Sequence, residues 1–283
     1  MPGSARCRGW RRGRCWGVQM TAVTDWDDAY ANRAHVAEAG AIVERWPGDA
    51  AAFRASWADA TLDLPYGPAE RERFDLFRPA GPAAGLLVFV HGGYWMAFDK
   101  SVWSHFAEGA LKRGWAVAIP SYSLAPEARI AQMTRQIAAA ITAAAQRVDG
   151  PVRLTGHSAG GHLVARMACA DSPLNLGDRL AGVVSISGLH DLEPLARTAM
   201  NATLRLDKEE VAAESPALLA PRPGLPVGAW VGGGERPEFI RQAGLLASAW
   251  PGTVLTIEGD YHHFNIIDAL RAPHSPLMNA VLG

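Results

Sequence analysis

The residues from Leu154 to His162 read Leu-Thr-Gly-His-Ser-Ala-Gly-Gly-His, with Ser158 between two glycines in a Gly-x-Ser-x-Gly pentapeptide. A serine hydroxyl is a weak nucleophile until a neighbouring base takes its proton. A histidine is the usual base, and a carboxylate fixes its tautomer and stabilises the imidazolium. Ser158 is the candidate nucleophile. His262 and His263 lie together near the end of the chain, with His274 further on. Glu235 and Glu238 follow an apolar run and are the first and second choices for the acid. A second Gly-rich stretch, His91-Gly92-Gly93-Tyr94-Trp95, stands upstream. Backbone N–H groups at Gly92, Gly93 and Ala159 could stabilise an oxyanion, since glycine lets the backbone approach a substrate closely. His91 would brace that loop by hydrogen bonding. Tyr94, Trp95 and Trp103 cluster at the same rim, and Tyr94 and Trp95 are candidate substrate-binding residues. His157 and His162 are expected to pack or hydrogen bond, and His105 and His190 show no metal-ligand spacing.

These groups need elements to hold them. Val152 to Thr155 is a short apolar strand and His162 to Ala170 a helical run, so Ser158 sits on a strand-to-helix turn. The helix N-terminus would then favour negative charge developing at the serine. Leu86–Val90, Trp115–Ile119, Leu180–Ser187, Val227–Val231 and Thr253–Ile257 read as further strands, the first two buried on both faces. Glu70–Arg78 reads as another strand. Helices are expected over Ser101–Arg113 and Phe239–Trp250, with a final helix after the histidine pair. The stripe Ile130, Met133, Ile137, Ile141, Ala144 and Val148 marks a core-facing helix. Asp25–Ala60 is predicted helical, broken at Gly40 and at Pro47-Gly48, and wrapped around the outside. Alternating strand and helix imply a mostly parallel sheet covered on both faces. His190 to Pro221 differs in character and reads as a small inserted cap, within about 190–222.

The 283 residues carry a net charge of −1, with 49% apolar and 19% charged residues, which allows a large core and implies no pull toward nucleic acid or membrane. Three cysteines show no metal-like spacing; Cys169 reads as a buried free thiol. Residues 1–19 hold five arginines and no acid. They lack the apolar segment of a secretory or twin-arginine signal and read as a disordered extension, with Met20 as the functional start. A transit peptide or a nucleic-acid arm is the alternative for this stretch. Residues 20–283 form one domain, expected in the cytoplasm, and a homodimer is compatible with the sequence.

The two motifs, with Ser187-Gly188-Leu189-His190-Asp191-Leu192-Glu193-Pro194-Leu195, Ser215-Pro216, Pro237-Glu238-Phe239 and His263-Phe264, resemble the kynurenine formamidase (arylformamidase) group of α/β-hydrolases, kin to hormone-sensitive-lipase-like esterases. The resemblance covers about residues 25–280. It implies an α/β-hydrolase fold with a small cap and a Ser158–Glu235–His263 triad. It implies a substrate such as an aryl formamide of the N-formyl-kynurenine kind, with no metal or cofactor. An ester-hydrolysing carboxylesterase is the second reading, and a non-catalytic binding protein on the same fold is the third. Glu235 departs from the group's Asp two residues before Pro-Glu-Phe, and His262 stands where the group has Asp or Asn.

Overall fold

In the computed structural model, described for residues 23–283, the strands β1 (Ala60–Pro65), β2 (Arg73–Phe77), β3 (Leu86–Val90), β4 (Ala116–Pro120), β5 (Val152–His157), β6 (Leu180–Ile186), β7 (Val227–Gly232) and β8 (Val254–Glu258) form one sheet. Their order is β1-β2-β4-β3-β5-β6-β7-β8. β2 is antiparallel to β1 and β4, and all other pairs are parallel. The helices are α1 (Trp26–Tyr30), α2 (Ala39–Ser56), α3 (Glu108–Lys112), α4 (Ile130–Ala145), α5 (Ala159–Met167), α6 (Asn201–Leu204), α7 (Lys208–Glu214), α8 (Pro237–Ala249) and α9 (Pro276–Leu282).

The central strands divide their side chains between two cores because successive residues point to opposite faces. Leu86, Val88 and Val90 enter one core, with Ile137 and Ile141 of α4, Leu163 of α5 and Phe239 of α8. Leu87 and Phe89 enter the other, with Trp46 and Phe53 of α2 and Leu277 and Val281 of α9. This two-sided burial is why these strands are apolar without alternation.

Two sequence expectations are corrected, and one strand is added. α2 runs unbroken through Pro47, although proline removes a helical hydrogen bond. Ile42, Trp46, Ala50 and Phe53 form a buried stripe at helical spacing, and this packing outweighs the local penalty. The expected helix over Ser101–Arg113 is two 3-10 turns, Lys100–Val102 and Ser104–Ala107, before the short α3. Every residue of the second turn is buried, so no one-sided helical face is available there. β1 has no counterpart in the sequence reading, because Asp63 at φ +57 and a register shift between Thr61 and Leu64 break its alternation.

Residues 190–222 form 3-10 turns at Leu195–Arg197 and Pro216–Leu218 around α6 and α7. Leu192, Leu195, Leu204, Leu206 and Val211 bury into the first core, so the segment lies on the body of the domain. The basic stretch 1–19 falls outside the described residues. Among the described residues no helix is long and apolar enough to cross a membrane.

Candidate active site

Ser158 is the junction between β5 and α5. Its φ of +57° and ψ of −118° are disfavoured for a residue with a Cβ, and such strain persists only where the surroundings hold it. The Ser158 amide donates to Ile186 O at 2.8 Å, and its carbonyl accepts from the His162 amide at 3.0 Å. Gly160 shows why the turn admits so little: a Cβ there would lie 2.0 Å from Val90 O. The elbow is therefore pressed directly onto the end of β3.

The chain leaving β3 carries the second motif to the same place. A Cβ on Gly92 would meet His157 O at 2.9 Å and Ser158 Cβ at 3.1 Å, so this backbone runs against the serine. Among the described residues, the amides of Gly92, Gly93 and Ala159 donate to no protein acceptor. His91 donates from Nδ1 to the Gly92 carbonyl at 2.8 Å and stacks on Tyr122 at 4.5 Å. Burial lowers its pKa to about 4, so it stays neutral and structural.

His263, in the loop after β8, is buried. Its Nδ1 faces Glu235 Oε2 at 2.7 Å, and the side chains are 6% and 0% exposed. Nδ1–H donates to the carboxylate, which leaves Nε2 for proton transfer. The other carboxylate oxygen accepts Ser187 Oγ–H at 2.5 Å and the Gly232 amide at 2.9 Å. The Glu235 carboxylate is thus buried with Ser187, the Gly232 amide and His263 as its hydrogen-bond partners, which offsets the cost of burying it. Ser187 was not singled out in the sequence, where it belonged only to the cap string. The ring of His263 rests against His157 at 4.5 Å and Phe239 at 4.6 Å. His157 is held well below the ordinary histidine range by burial, so it adds no positive charge beside His263.

Glu238 turns elsewhere. It accepts from Tyr30 Oη at 2.8 Å and Gln242 at 2.9 Å, and pairs with Arg241 at 2.7 Å. His262 is half-buried with its Nε2 near Glu38, and His274 is exposed.

Ser158 and His263 share the wall of a cavity of about 490 Å³. Tyr94, Phe98, Trp103, Trp46 and Phe264 supply its aromatic surface, and Met200 comes from the segment expected as the cap. Phe264 stands in this wall against Trp46, with ring centres 6.4 Å apart. Trp95 corrects the expectation of a substrate-binding role: it is fully buried, away from the cavity wall, and packs edge-on against His162 at 5.1 Å. Tyr94 and Trp95 both hold positive φ, +50° and +57°, which turns the chain sharply between the two rings. The segment before α2 also needs correction, because part of it lines the cavity instead of only wrapping the outside. Asp27, Tyr30, Asn32 and Arg33 contribute to the wall, and Tyr94 Oη donates to Tyr30 O at 2.6 Å. No motif marks these residues; their place follows from contacts spanning some 200 positions, such as Tyr30 with Glu238.

A family profile described as alpha/beta hydrolase fold matches residues 87–219. The solved structure of a candidate thioesterase from Silicibacter sp. tm1040 is 51% identical, with a TM-score of 0.88, covering 91% of this chain and 98% of that one. The chain belongs to the α/β-hydrolases. Among the relatives of this α/β-hydrolase are kynurenine formamidases of Danio rerio and Salmo salar. The first is 28% identical over 90% of this chain and 87% of its own length. The second is 29% identical over 75% and 78%. Esterase B of Lactobacillus rhamnosis shares the fold at 18% identity and a TM-score of 0.62, covering 88% of this chain and 91% of that one. The α/β-hydrolase is an enzyme of the hydrolase class.

Proposed function

We propose that this hydrolase cleaves an N-formyl arylamine of the N-formyl-kynurenine kind to the free amine and formate through a Ser158 acyl-enzyme. The observation carrying this reading is the aromatic-walled cavity that ends on Ser158 and His263. Such a wall suits a flat aryl group, and the formyl group is the smallest acyl unit that could sit at its end. Ser158 Oγ attacks the formyl carbonyl while His263 Nε2 takes the hydroxyl proton. The N–H groups of Gly92, Gly93 and Ala159 receive the oxyanion. The C–N bond breaks as His263 returns the proton to the departing amine. Water then attacks the formyl-enzyme, with His263 again as base, and formate leaves. The kynurenine formamidase relatives support the same substrate class.

A second reading, hydrolysis of a small ester or thioester, is favoured by the 51% identical relative described as a candidate thioesterase. The catalytic groups would be identical, so the pocket decides between the readings. The test compares kcat/KM for N-formyl-kynurenine, a nitrophenyl ester and an acyl thioester. The formamide should be the best substrate by tenfold or more on the order-of-magnitude scale of pocket discrimination. A preferred thioester would replace the first reading with the second. Ser158→Ala should lower kcat on every substrate by about 10³-fold or more. A fluorophosphonate should label the wild type and not this variant. Full turnover by a folded Ser158→Ala would end the acyl-enzyme proposal.

A further inference from the structure

Two serines stand at the ends of neighbouring strands. Ser158 follows β5 and Ser187 follows β6, and these strands pair with His157 opposite Ile186. Both serines hold positive φ, +57° and +51°. Each amide donates across to the next strand, Ser158 to Ile186 O at 2.8 Å and Ser187 to Trp230 O at 2.7 Å. The ladder thus continues one rung beyond the sheet and sets the two serines in register on neighbouring strands. The first hydroxyl is the candidate nucleophile. The second is fully buried, stands outside the cavity wall, and donates to Glu235 Oε1.

Glycine would adopt this backbone without strain, but it has no hydroxyl. Glutamate has one more rotatable bond than aspartate, so its carboxylate has more ways to miss the imidazole. With Oε1 fixed by Ser187 and the Gly232 amide, Oε2 is left facing His263. We propose that Ser187 is a positioning residue for the reaction: its strained backbone aims a hydroxyl that holds Glu235 against His263. The inference rests on the Ser158–His263–Glu235 reading of the site. Ser187 touches neither substrate nor reacting atoms and acts only through the carboxylate.

A double-mutant cycle on kcat and KM tests this. Ser187→Ala should lower kcat about 10- to 100-fold, the range for a hydrogen bond to a charged group, and leave KM unchanged. In a Glu235→Gln background the same substitution should lower kcat less than about twofold, since a pathway already broken loses little more. Ser187→Gly relieves the backbone and removes the same hydroxyl, so it should fold and show the same kcat loss. Equal losses from Ser187→Ala in both backgrounds would make the role merely structural and overturn the inference. Wild-type kcat in folded Ser187→Gly would overturn it as well. If Glu235→Gln alone retained full activity, the acid assignment itself would fall, and Ser187 with it.

Discussion

The imidazoles of His262 and His263 turn to different carboxylates: His262 Nε2 lies 3.0 Å from Glu38 Oε1, and His263 Nδ1 lies 2.7 Å from Glu235 Oε2. His262 Nδ1 accepts the amides of Phe264 at 3.2 Å and Asn265 at 3.3 Å, so its proton sits on Nε2 and faces Glu38. That ring caps a turn and has no free lone pair for a base. His263→Ala should therefore cost about 10³-fold or more in kcat. His262→Ala should cost about tenfold or less, through loop position. Steady-state kinetics on the two purified variants decide it, and a dead His262 variant beside an active His263 variant would reverse the assignment.

Glu235 and Glu238 separate in the same manner. Glu235→Gln should lower kcat by about 10² to 10⁴-fold with little change in fold, since it removes the charge that supports an imidazolium. Glu238→Gln should leave kcat within a few fold and lower Tm, because Glu238 ties α1 to α8 through Tyr30 and pairs with Arg241. Paired melting curves and rates on the two variants check the split. A Glu238 variant that loses kcat at unchanged Tm would exchange their roles.

Stability should fall steeply in mild acid. Burial lowers His91 and His190 to about 4 and His162 to about 3, against about 6.5 for an unfolded histidine. The unfolded chain then binds more protons than the folded one wherever the pH lies between those values. The stabilisation is complete above about 6.5 and is lost as the pH falls toward 4, at on the order of 3 kcal/mol for each such histidine. Tm should drop markedly from pH 7 to pH 5. His190→Asn should flatten that slope whatever its Tm at pH 8, and an equal slope in the variant would contradict a buried, neutral His190.

Much of this architecture is legible in the chain because its strongest signals are local. Leu86–Val90 and Ala116–Pro120 lie within the molecule on both faces, and their unbroken apolar runs say so. Ser158 is legible because an elbow this tight excludes side chains at fixed offsets. The N-terminal part of the cavity wall is illegible for the opposite reason. Tyr30 and Asn32 lie more than 100 residues from the elbow in sequence and are held by long-range bonds to Glu238 and Tyr94. Trp95 misleads because a motif gives its neighbourhood but not its direction, and positive φ at two successive residues swings the indole inward. Pro47 misleads because a local rule yields to the buried stripe on either side of it.

The contact between Gly160 and Val90 O has a consequence in time. Nothing larger than a hydrogen fits between the elbow helix and the exit of β3. Any side chain at position 160 would force the two segments apart, and Trp95 packs edge-on against His162 of the same helix. In the mechanism proposed above, the amides of Gly92, Gly93 and Ala159 would then be in place before substrate arrives and would need no reorganisation when charge develops. In hydrogen exchange, the Val90 and His162 amides should open in a single event with one shared free energy.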